Sequence, residues 1–162
     1  MFLIVLYIVC MILANYLIFL FGPWFSPINA FLLIGLDMVI RDRLHDRWIG
    51  HNLIMRMGLL IVVSSLITYV LNPAMVMIAI ASSVAFASAM IVNGVIYHFV
   101  HKHKWMVRSN VSNIGGSATD SLVFPTVAFG VIMPEIILLQ FIAKMLGGLL
   151  WSYIFKKTMR IK

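Results

Sequence analysis

At 162 residues, with 63% of them hydrophobic and only 10% charged, the chain is far more apolar than a water-soluble domain of its size. That balance excludes a soluble enzyme or binding module as the bulk of the molecule. Apolar stretches follow one another with no long polar interval, which implies a single membrane domain over residues 1–162. The net charge of +7 needs no nucleic-acid partner, because membrane proteins retain Lys and Arg on their cytoplasmic side.

A spanning helix needs roughly 20 mostly apolar residues. Six segments meet or approach that length, at residues 2–21, 27–44, 53–71, 74–100, 109–133 and 135–155. The predicted fold class is therefore all-α, a polytopic bundle of six transmembrane helices. Segment 2–21 lacks the basic start and small-x-small cleavage site of a secretory signal and is read as a helix. It contains the single cysteine, Cys10, which is expected to act as a small buried hydrophobe. The turn from Gly22 to Pro27 carries Trp24, a residue suited to a membrane interface.

Basic residues gather after alternate segments: Arg41, Arg43, Arg47 and Arg56, then Lys102, Lys104 and Arg108, then Lys156, Lys157, Arg160 and Lys162. Of the 12 Lys and Arg, that leaves Lys144 alone in mid-segment. Both termini and both basic loops are thus expected in the cytoplasm, in a multi-pass protein of the inner membrane. Asp42 and Asp46, among the arginines of the first basic loop, are expected to stay solvated. His98, His101 and His103 read as part of a cytoplasmic flank rather than a metal site, and no metal or cofactor is implied.

A charge near the bilayer centre costs about 3 kcal/mol even on lenient scales, so Asp37, Asp120 and Lys144 are functional candidates. Asp37 has Arg41 one turn away and could simply form an intrahelical ion pair. In the fifth segment Asn110, Asn113, Ser117 and Asp120 recur at steps of three, four and three, which draws one polar stripe along a helix. Gly115 and Gly116 beside it allow either close backbone approach or a break. Gln140, Lys144 and Trp151 share a face of the sixth segment, with Gly147 and Gly148 suited to tight packing, and Lys144 is expected to offset one aspartate. Ala81, Ala85 and Ala89, with Ser82, Ser83 and Ser88, suggest a small-residue packing face. Asn15 and Asn93 are single amides that either contact a solute or bridge helices. Segments two and five, each the middle of three, both hold a central aspartate, a pattern that fits two three-helix inverted halves around a midplane solute site.

Three blocks of sequence resemble the queuosine precursor transporters, the vitamin uptake transporter-like family. They are Asn15-Tyr16-Leu17 with Leu36-Asp37-Met38-Val39-Ile40-Arg41, then Arg108 through Ser112 to Asp120-Ser121-Leu122-Val123-Phe124 with Ala128-Phe129, and finally Phe141-Ile142-Ala143-Lys144. The resemblance implies six helices and import of 7-cyano-7-deazaguanine or a related deazapurine. It also implies a solute site drawn from Asp37, Asp120, Asn15, Asn93, Asn113, Ser112, Ser117, Lys144 and Arg108, with the aspartates accepting from the N–H donors of the pairing edge. The chain departs from the family where a further acidic residue is often found, at Asn93-Gly94-Val95-Ile96-Tyr97, and its loops are short. Partners expected on this reading are the deazapurine and membrane lipid; the oligomeric state is left open, a homo-oligomer being one option. Competing readings are the membrane-embedded binding subunit of an energy-coupled vitamin importer and, further off, an integral membrane enzyme. No nucleotide-binding loop, nucleophile elbow or zinc-protease motif supports the last.

Overall fold

The structure, a computed structural model, describes residues 1–158, without the side chains of residues 105, 106, 109 and 158. Arg160 and Lys162, counted above in the terminal basic group, lie outside the described residues. Every regular element among the described residues is helical. α1 is Phe2–Phe21; a 3-10 turn Pro23–Phe25, α2 Ser26–Asn29, a π-helical stretch Ala30–Ile34 and α3 Gly35–Trp48 then run on as one long helix. α4 is Leu53–Leu71, α5 Val76–Phe99, α6 Trp105–Phe129 and α7 Pro134–Thr158.

Five of these are long and apolar enough to cross a membrane: Phe2–Phe21, Pro23–Trp48, Leu53–Leu71, Pro73–Phe99 and Pro134–Lys157. α6, at 25 residues, has the length but not the hydropathy, because the polar stripe runs along it. The distribution of side chains is that of a protein in lipid. Val5, Leu59, Leu66, Ile91, Leu138 and Leu146 face outward, while Asp37, Arg41, Asp120, Gln140 and Lys144 are buried. The protein is a polytopic membrane bundle.

Segment boundaries shift where local chemistry decides them. The second helix begins at Pro23, ahead of the expected residue 27, and continues four residues past Leu44. Arg41 and Asp42 therefore lie on a helix at 4% and 2% exposure, not in a solvated loop. Asp46 also departs from the solvated state expected of it: it is half-buried, accepting from the Tyr97 hydroxyl at 2.6 Å. α6 stops at Phe129 because Gly130 takes a left-handed conformation, φ 70°, that side-chain-bearing residues disfavour.

α5 and α6 share the most extensive helix contact. Ala81, Ala85 and Ala89 are buried to 1% exposure or less, as a small-residue face requires. Gly115 and Gly116 lie within an unbroken helix and serve close approach: a Cβ on Gly116 would sit 3.2 Å from that of Asn93. α7 makes a comparable approach to the π-helical stretch. There a Cβ on Gly147 would strike the Phe31 carbonyl, and the Trp151 indole N–H donates to the Leu32 carbonyl at 3.0 Å. A π turn leaves backbone carbonyls poorly matched within the helix. Trp151 supplies one of them with a donor from the neighbouring helix.

Gly147→Ala should lower stability by about 1 to 3 kcal/mol, since backbone rather than a flexible side chain would have to move. Gly148→Ala should be neutral or slightly stabilising, because the nearest atom to its Cβ is the Asn113 amide nitrogen at 4.0 Å and Ala is the better helix former. Thermal melting of the two variants in detergent checks the contrast; equal melting points would remove the close approach from the account.

Candidate functional site

Lys144 organises the polar interior. Its ammonium, 2% exposed, donates to the Asp120 carboxylate, to the Ser121 hydroxyl at 3.0 Å and to the Gln140 side-chain carbonyl at 3.0 Å. An ammonium has three donors, and all three are used. Gln140 stands one turn before Lys144 on α7 and passes the network on, its amide donating to the Ser26 hydroxyl at 2.5 Å. The chain of bonds thus ties α7 to α6 and to α2.

A second network lies on the other side. The Ser82 hydroxyl of α5 donates to the Asn15 side-chain carbonyl at 2.5 Å, and the Asn15 amide donates to the Thr68 hydroxyl at 3.4 Å. Asn29 donates to the Ala14 carbonyl at 3.1 Å. Each of these side chains is at most 5% exposed. In hydrocarbon such groups have no water to bond, so helices that carry them are drawn together at matching depth.

Between the networks is a small cavity of about 20 Å³, lined by Asn15, Ser26, Asn29, Ser82, Asp120, Gln140 and Lys144 with Ala14, Ile18, Ala30, Ile34, Phe86 and Phe124. By the 1.5 Å helical rise, Asp120 and Lys144 lie about 15 Å from the ends of α6 and α7 that face away from the basic loops, close to mid-bilayer. One ion pair, three amides, two hydroxyls and two aromatic rings therefore converge at the centre of the bundle. The set carries both hydrogen-bond donors and acceptors.

Of the residues expected at a solute site, Asp120, Lys144 and Asn15 meet at this cavity. Asn93 and Asn113 pair with each other across α5 and α6 at 2.8 Å, and the Ser117 hydroxyl donates to the Met38 sulfur at 3.5 Å. Ser112 is fully buried. Asp37 is fully buried without touching the cavity, and it makes no salt bridge with Arg41 among the described residues, so the simple intrahelical ion pair is not formed. Arg108 stands at the basic end, 4.5 Å over the Tyr97 ring and 3.4 Å from the Asp46 carboxylate, well away from the cavity. Ser26, Asn29, Phe86 and Phe124 were not anticipated. Ser26 and Asn29 lie three residues apart beside the Pro27 turn, a helical spacing that could have marked them. The two phenylalanines carry no signal that separates them from lipid-facing ones.

Removing one member of a buried pair leaves an uncompensated charge, which typically costs about 3 to 5 kcal/mol, whereas removing both is far milder. Lys144→Met should accordingly melt well below the parent, and Lys144→Met combined with Asp120→Asn should recover much of the loss. Melting curves for the two singles and the double test this; additive losses would mean the pair does not act as a unit.

Residues 1–157 match the model of a protein family described as "Putative vitamin uptake transporter". No curated protein and no solved structure matches the chain. With the family match covering nearly the whole sequence and a multi-pass bundle closing on a central polar cavity, the chain belongs to this vitamin uptake transporter family.

Proposed function

We propose that the protein imports a deazapurine precursor of queuosine, 7-cyano-7-deazaguanine or a close relative, across the cytoplasmic membrane. The observation that carries this reading is the meeting of Asp120, Lys144, Asn15, Asn29 and Gln140 at one cavity that Phe86 and Phe124 also line. A guanine-like ring presents adjacent N–H donors that a carboxylate accepts, carbonyl and ring-nitrogen acceptors that an ammonium or amide serves, and two faces for aromatic contact. The sequence blocks around Asp37, Asp120 and Lys144 that resemble queuosine precursor transporters support the same solute.

The cavity has room for about one water. A bicyclic ring therefore enters only when the helices around it part, and the conformation described is a closed one. On this reading Lys144 holds Asp120 in place between transport events. The solute then competes for the same carboxylate.

The test is uptake of labelled 7-cyano-7-deazaguanine by cells that lack their own carrier, with membrane abundance measured in parallel. Asp120→Asn exchanges an acceptor for a donor, so uptake should weaken by about 1 to 3 kcal/mol, about tenfold or more. Glu135→Gln, at an exposed position outside the cavity, should transport like the parent. Normal uptake by Asp120→Asn at normal abundance would remove Asp120 from the site, and no uptake by the parent would remove this solute.

Arg43 and Arg47 at the end of α3, Arg56 at the start of α4, Lys102 and Lys104 between α5 and α6, and Lys156 and Lys157 at the end of α7 support cytoplasmic termini. Reporters fused after the C-terminus and inserted beside Trp24 should read opposite sides of the membrane. A C-terminal reporter active outside would reverse the orientation, and with it the direction of import.

A further inference from the structure

Closer to the basic end than the cavity lies a buried carboxyl group that solute recognition leaves unused. Asp37 has no exposed surface, and neither of its carboxyl oxygens has a partner among the described residues. The Tyr7 hydroxyl of α1, equally buried, is also without a partner. Tyr7 and Cys10 from α1, Arg41 and Asp42 on α3 itself, and Asp120 from α6 are all within electrostatic reach of Asp37. The cation of α7, Lys144, has its three donors committed elsewhere.

We propose that Asp37, with Tyr7 beside it, is the ion-coupling site of the carrier: its carboxyl takes up a proton from one aqueous side and releases it on the other during each transport cycle. The inference rests on the transport reading and assigns Asp37 a role apart from the solute cavity. Three observations carry it. First, the Asp120–Lys144 pair is neutral as a unit, so the solute cavity needs no further counter-charge, while an ionised Asp37 without a donor would be costly at this depth. A proton removes that cost without any rearrangement. Second, the surroundings suit a proton better than a metal cation. A proton needs one acceptor oxygen, which the unpartnered Asp37 carboxyl offers, whereas hard cations gather about six oxygen ligands. Third, Arg41 stands one turn from Asp37 toward the basic end, 4% exposed, with its Nη2 unpartnered. When helix movement brings the two together, Arg41 favours the ionised carboxylate, and the proton leaves toward the basic end. The ion pair absent from the closed conformation is then the released state of the cycle.

Purified protein in lipid should show the infrared carbonyl band of a protonated carboxylic acid near neutral pH. That band should be lost in Asp37→Asn and shifted in Asp37→Glu, which keeps the carboxyl group and moves it. In proteoliposomes loaded with 7-cyano-7-deazaguanine, the parent should perform solute exchange and also accumulate label when the side away from the basic loops is acidified. Asp37→Asn should keep exchange and fall to the equilibrium level under the same gradient. Solute exchange by the parent with no response to the gradient would overturn the coupling while leaving the transport reading intact. An infrared band unchanged in Asp37→Asn would overturn the assignment even if no exchange were seen, and absence of exchange in the parent would instead count against the solute. Should Asp37→Asn fail to fold, the infrared band decides through Asp37→Glu: a shift supports the site and an unmoved band overturns it.

Discussion

The bundle depends on one buried ion pair. Lys144 could not remain charged at mid-bilayer without Asp120, and Asp120 sits on a helix too polar to face lipid. Joining them places α6 against α7, and the Gln140 amide extends the constraint to Ser26 at the start of the second long helix. The remaining close contacts follow from this placement. α5 and α6 meet through alanines and glycines, and α7 meets the π-helical stretch through Gly147. Lipid supplies almost no hydrophobic drive for helices to associate, so polar pairing at matching depth and close backbone approach hold the structure together.

The cavity and the basic end form two separate regions of polar contact. At the basic end the Tyr97 hydroxyl donates to Asp46, the Arg108 guanidinium lies over the Tyr97 ring, and His45 meets that ring edge-on with centroids 5.1 Å apart. These contacts bind α3, α5 and α6 on the face where the positive loops gather. The cavity is nearly filled by its own lining.

Much of this was legible in the sequence because a membrane makes polarity conspicuous. The helices stood out by apolar length, the polar stripe of α6 by its three- and four-residue steps, and Lys144 by being a lone cation inside a span. The pairing of Lys144 with an aspartate followed from the cost of leaving either unpaired. What could not be read were properties of three-dimensional neighbours. Phe86 and Phe124 differ from lipid-facing phenylalanines only in what packs beside them. Asp42 and Asp46 look solvated among arginines, yet α3 continues to Trp48 and carries them into contact with the bundle. Arg108 sits in a block that resembles a transporter family, but its side chain is committed to Tyr97 and Asp46.

The π-helical stretch Ala30–Ile34 has a consequence for angular register. A single wide turn accommodates about one residue more than an α-turn over the same length, so everything after it is rotated by about 100° relative to an uninterrupted helix. Asn29 and Asp37, eight positions apart, would point about 80° away from each other on a regular α-helix. With the extra residue absorbed between them, the separation falls to about 20°. The wide turn thus puts the cavity's amide and the deeper carboxyl on one line facing the bundle axis. The same residues wound as a regular α-helix throughout would set the two about 80° apart and turn one of them away from that line.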